Sequence, residues 1–134
     1  SMALFHNSLD PSGYAPQAFL LSFTITGAVT KADEGKAVAI DTTGDNRMKI
    51  AGDGDRIVGR LESLEIRPAS QGGTIGAVSF RFVQKFPVLA ADPLARGDTA
   101  VGAVGGTIKR AAANLPHDNF VSALSGGIAT LVKL

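Results

Sequence analysis

The sequence contains no cysteine, which excludes disulfides, thiolate zinc sites, iron–sulfur clusters and cysteine nucleophiles. Tryptophan is absent and Tyr14 is the one tyrosine, so a sugar-binding surface built on exposed aromatic platforms has little material. Imidazole is limited to His6 and His117, and two isolated histidines supply no metal-ligand spacing. Charge of one sign is missing too: 13 Lys and Arg face 12 Asp and Glu, a net charge of +1. Such a balance creates no field to attract nucleic acid or anionic lipid, so neither nucleic acid nor a membrane is read as a partner. No apolar run approaches the roughly 18 residues of a membrane span. No basic stretch followed by an apolar run near the N-terminus marks a secretory signal.

What the 134 residues do contain is glycine, 16 in all, with 45% hydrophobic and 19% charged residues. These values fit one folded domain rather than a disordered chain. Many glycines without low complexity mean many turns and many short strands. The expected fold is mainly β, a small β-barrel or tulip-like single domain of short strands over residues 19–134. Residues 1–18 carry Pro11, Gly13 and Pro16 without any helical or strand period. They are expected to form an extended arm, with Leu4, Phe5, Leu9 and Tyr14 as spaced apolar anchors for contact with another protein surface or a neighbouring subunit.

Period-2 alternation marks the strands. In residues 19–30, Phe19, Leu21, Phe23 and Ile25 share one parity and Ser22, Thr24 and Thr26 the other. Short strands are expected at 37–40 and in Met48-Lys49-Ile50-Ala51, with a third starting at Ile57. Polar turns separate them. The segment 74–89 predicts one continuous strand with Val78, Phe80, Phe82 and Phe86 on a single face. From these parities Phe23, Val78, Phe80, Phe82 and Ile57 are expected to be buried together. Pro87 suits a sheet edge or strand end. Short helical pieces are plausible only near 90–96 and 110–114.

Two stretches, 29–62 and 94–125, echo one another weakly. Ala37-Val38-Ala39 and Met48-Lys49-Ile50-Ala51 have partners in Ala100-Val101-Gly102 and Ile108-Lys109-Arg110-Ala111, although the intervening turns differ in length.

No catalytic constellation emerges. The nearest approach to a nucleophile elbow, Leu124-Ser125-Gly126-Gly127, lacks the first glycine. His117-Asp118 stands in a turn-forming context rather than beside a nucleophile. Asp41, Asp45, Asp53 and Asp55 lack the order of a calcium loop, and Gly52-Asp53-Gly54-Asp55 reads as a hairpin turn. Gly102, Gly105 and Gly106 lack the Lys-Ser/Thr that completes a phosphate loop. Neither a catalytic residue nor a cofactor or metal site is expected, and the chain is read as non-enzymatic.

The segment VTKADEGKAVAID…MKIAGDGDRIVGRLES resembles the repeated theme of tailed-phage head decoration proteins, the capsid cement proteins. The matching residues are Lys36–Ile40 and Ala51–Gly59, with a looser match from Ala95–Val101 through Gly105–Ile108. Lys31-Ala32-Asp33-Glu34 departs from that family's simple Gly-Asp turn. The resemblance covers about residues 19–134 and implies a β-rich structural protein on the outer capsid surface of a virion. It implies a major capsid protein as partner, a homo-oligomer with a trimer first and a dimer second, and an N-terminal arm reaching the shell. Alternative readings are another phage module (tail, baseplate or fibre), a carbohydrate-binding β domain, or an enzyme accessory domain using His117 and Asp118.

Overall fold

Alternating β-branched, aromatic and polar residues, cut by Gly-rich turns, give ten strands among the described residues. A computed structural model describes residues 20–90, 93–112 and 118–134. The strands are β1 (Leu20–Thr26), β2 (Ala37–Ile40), β3 (Arg47–Ile50), β4 (Gly59–Glu65), β5 (Ile75–Ser79), β6 (Phe82–Pro87), β7 (Ala100–Gly102), β8 (Ile108–Arg110), β9 (Asn119–Ser125) and β10 (Ile128–Lys133). The chain is mainly β, the described residues being 49% strand against 8% helix, and the helical part among them is three short 3-10 turns. The helical pieces expected near 90–96 and 110–114 do not form where the chain is described. Asp98 closes a turn through its carboxylate on the Ala95 amide (2.8 Å), and Arg110 ends β8. The arm, residues 1–18 with Leu4, Phe5, Leu9 and Tyr14, lies outside the described residues, as does His117.

Strands β1-β3-β2-β4-β5 close into a barrel. β1 runs parallel to β3, with Ile25 opposite Met48, and antiparallel to β5, with Phe23 opposite Gly76. Ile25, Val38, Met48, Leu61, Leu64 and Val78 fill the interior, with Phe23 and Phe80 packed against them and their rings edge to face at 5.6 Å. Gly76 is needed here, because a Cβ on it would sit 2.7 Å from both Ile25 Cγ1 and Leu61 Cδ1. A β-bulge at Glu62, between Leu61 and Ser63, resets the alternation so that Leu64 points inward.

The second half follows the same strand order in interrupted form. β6 pairs antiparallel with β10, Phe86 opposite Ala129. Its end meets β8 in a parallel bridge, Val88 to Ile108. β7 pairs with β8, Val101 opposite Lys109, as β2 pairs with β3, Ala39 opposite Lys49. The Val121 carbonyl and amide bond the Gly97 amide and Asp98 carbonyl (2.7 and 2.9 Å), as those of Leu61 bond the Gly35 amide and Lys36 carbonyl (2.6 and 2.9 Å). Even the bulge recurs, at Ser122 of β9. The interruption lies between β7 and β9, where the Asn119 side chain replaces a ladder rung. Its Oδ1 accepts from the Ala100 amide (2.8 Å) and its Nδ2 donates to the Ala100 carbonyl (3.2 Å).

Two expectations are corrected. Residues 74–89 are not one strand: a bend at Phe80–Arg81 carries the chain from the barrel into the sheet of β6, β10 and β9. Val78, Phe23 and Phe80 therefore belong to the barrel interior, whereas Phe82 and Ile57 belong to a second core with Phe86, Val121 and Leu131. Leu21 shares parity with Phe23 and Ile25 but is 47% exposed, because β3 joins β1 only from Thr24. The second core also takes in Ala37, Ala39 and Ala51, so the two halves share buried surface. Pro87 stands at the end of β6, an edge strand of its sheet, where its missing N–H costs nothing.

Candidate functional site

Among the described residues most ion pairs are formed within one half, and two, Arg56–Asp118 and Lys109–Asp53, join the halves. Asp118 is held by Arg56 (2.8 Å) and Lys133 (3.4 Å), and its second oxygen accepts from Asn119 Nδ2 (3.0 Å). Partial burial pushes the Asp118 carboxyl up, but the Arg56 hydrogen bond and the charges of Lys133 and Arg56 outweigh it, so its pKa lies below the ordinary value. Asp118 is thus a carboxylate locked between cations at the seam of the two halves. A cavity of about 170 Å3 beside it is lined by Gly54, Arg56, Thr99, Ala100, Val101 and Asn119 as well as Asp118, and no described Ser or Cys stands among those residues.

The other acidic residues singled out in the sequence are turn and seam elements. Asp41 accepts from the Thr26 hydroxyl (2.6 Å), the Thr43 hydroxyl (2.7 Å) and the Thr43 amide (2.9 Å), which lower its pKa to about 2. Asp55 accepts from the Gly52 amide (2.9 Å) and pairs with Lys49 (3.3 Å). Asp53 pairs with Lys109 (2.5 Å), joining the halves. Among the described residues no three His, Cys, Asp or Glu converge as metal ligands.

The Gly-rich stretch 102–106 serves the same seam. The Gly102 amide donates to the Asp55 carbonyl (2.7 Å), the Gly54 amide to the Gly102 carbonyl (2.9 Å), and the Gly106 amide to the Ala51 carbonyl (3.1 Å). A Cβ at Gly102 would lie 2.7 Å from Ala51 Cβ and from the Gly52 carbonyl oxygen. These amides are committed to protein carbonyls, so they do not form an anion cradle.

A second seam contact is built by Arg60. Its Nε donates to the Lys85 carbonyl (3.0 Å), its guanidinium lies over the Phe86 ring at 5.9 Å, and it pairs with Glu62. Glu62 in turn accepts from the buried Ser79 hydroxyl (2.6 Å). The sequence analysis did not single out Arg60; the signal is a two-residue Arg-x-Glu step on a strand, which is too short to carry meaning alone.

The described surface also exposes several large apolar side chains. Leu20 and Leu21 project at the start of β1, Phe120 from β9 and Ile128 from β10, while Ile40, Ile66, Val104 and Leu134 are exposed elsewhere. The sequence reading placed the contact anchors in the arm and did not single out this face. Compared with known proteins, the chain matches no family model, and no curated protein is similar to it in sequence.

Proposed function

We propose that this chain is a non-enzymatic structural protein that binds the outside of a phage capsid and stabilises the expanded shell against internal DNA pressure. In this reading it works as a homo-oligomer, a trimer first and a dimer second, on the outer surface of the virion. The major capsid protein is its partner, and Leu4, Phe5, Leu9 and Tyr14 of the arm make part of the contact. The observation that carries the reading is the division of labour on the described surface. The ion pairs Arg56–Asp118 and Lys109–Asp53 tie the halves together, while large apolar side chains such as Leu20, Leu21, Phe120 and Ile128 stand exposed on strands. A surface of that kind suits a protein partner. The turn-and-strand theme shared with decoration proteins says which partner to test.

Binding stabilises the expanded shell only through a higher affinity for it than for the precursor or the free subunits. Several arms on one oligomer multiply a weak single contact by effective concentration. The test is co-sedimentation of the purified chain with expanded shells and with precursor shells, alongside the melting temperature of the shells. The reading expects binding to the expanded form and a raised melting temperature. Equal binding to both forms, or none to either, would sink it. Deleting residues 2–16 tests the arm: the expected product melts cooperatively and no longer co-sediments, and unchanged binding would show the arm to be a passenger.

A further inference from the structure

The two halves of the chain contact one another head to tail, and the reciprocal surfaces stay open. Matching strand registers make Arg60 of β4 equivalent to Phe120 of β9, and Ser79 of β5 equivalent to Val132 of β10. In the first half these positions are covered: Ser79 is fully buried, and Arg60 reaches the Lys85 carbonyl and Phe86 ring of β6. In the second half the same positions are apolar: Phe120 is 40% exposed and Val132 partly exposed, and further along β10 Ile128 is 38% exposed. By the same registers Lys85 and Phe86 of β6 correspond to Ser22 and Phe23 of β1. A two-fold relation between the halves would bring Ser22 against Phe120. Both are exposed instead, so the internal contact is heterologous.

We infer that the outer face of β9 and β10, around Phe120, Val132 and Ile128, receives the start of β1 from a second copy of this chain. The incoming strand supplies Leu20, 54% exposed, and Leu21. Among the described residues no strand pairs with this edge of β1 along residues 20–23, since β3 joins it only from Thr24. Apolar side chains thus stand on both members of the contact, where the internal version has an Arg–Glu–Ser network on one of them. Repeating a heterologous contact closes a ring if the rotation allows and otherwise grows a filament. The inference extends the homo-oligomer of the proposed function by naming its surface, and it takes from that reading only the expectation of self-association.

The test uses two full-length variants, Phe120→Glu and the double change Leu20→Glu with Leu21→Glu, followed by analytical ultracentrifugation from micromolar to near-millimolar protein. The wild-type chain is expected to sediment as an oligomer and each variant alone as the 13.7 kDa monomer. A one-to-one mixture is expected to form a dimer and stop there, because each variant keeps one intact face. A monomeric wild type, variants of unchanged size, or a mixture that stays monomeric would each overturn the inference. Thermal melting of each variant checks the fold, and Phe120→Thr replaces Phe120→Glu if the latter does not melt cooperatively. Co-sedimentation with shells separates the two ideas. A wild-type monomer that binds shells refutes the interface alone, and an oligomer that binds none refutes the capsid reading alone.

Discussion

Replacing Phe86 by alanine strikes the place where the two halves meet. Phe86 is fully buried, its ring centroid lies 5.4 Å from that of Phe82, and the Arg60 guanidinium rests 5.9 Å above it. Loss of a buried phenylalanine with partial collapse of the cavity costs about 3–5 kcal/mol. The aromatic pair and the cation–π contact each account for roughly 0.5–1.5 kcal/mol of such losses. Little collapse is open to the site, since β6 is held by β10 on one side and by the Arg60–Lys85 bond from the first half. The expected cost is therefore in the upper half of that range, about 4–5 kcal/mol. For a chain of this size that lowers the melting temperature by roughly 12–18 °C. Urea titration followed by far-ultraviolet circular dichroism measures it directly, with Ile66→Ala, 53% exposed, as the control at under about 1 kcal/mol. Because the second core includes Ala37, Ala39, Ala51 and Ile57 from the first half, unfolding should stay a single transition with an unchanged m-value. A loss under about 1.5 kcal/mol would refute the packing argument, and a split transition would refute the shared core.

Asn119→Ala should cost about 2–4 kcal/mol, since it strands the buried Ala100 amide and carbonyl, and hydrogen exchange at the Ala100 amide should speed up by the corresponding factor. Gly102→Ala should cost about 1–3 kcal/mol through overcrowding against Ala51 and Gly52, whereas Gly27→Ala, with open space around it, should cost only the strain of a positive φ, roughly 1–2 kcal/mol; paired urea melts decide between them. Asp41, at about 2 in the folded chain against an ordinary 3.8, stabilises the fold in its ionised form. Its contribution is present above the unfolded value and is lost as pH falls through about 2. The stability difference between the wild type and Asp41→Asn should therefore shrink across that window in acid titrations, and a constant difference would contradict the Thr26–Asp41 bond.

Much of the strand content was legible because it rests on local rules. The span 37–40 agrees with β2, and Met48-Lys49-Ile50 lies within β3, since a short apolar run between polar turns has little alternative. Lys49 and Lys109 looked out of step along the chain, yet both face the middle of the preceding strand. The second hairpin is simply two residues shorter, and pairing register, not chain offset, defines equivalence.

The site was less legible. Asp118 stands in a turn-forming context in the sequence, and its two cations, Arg56 and Lys133, lie far from it along the chain. Arg60 shows a similar gap, its seam contact being set by where the second half packs.

By itself, the sequence determined that this chain is mainly β, where its Gly-rich turns fall, and which side chains alternate within each strand, because sterics and period-2 patterning act over a few residues. Only the tertiary structure decided that Val78 and Phe82, four residues apart on one parity, enter different cores. It also decided that Leu64 turns inward and that Leu21 does not. A bend, a bulge and the starting point of a neighbouring strand are each set by pairing between distant segments, and an alternating pattern looks the same on either side of them.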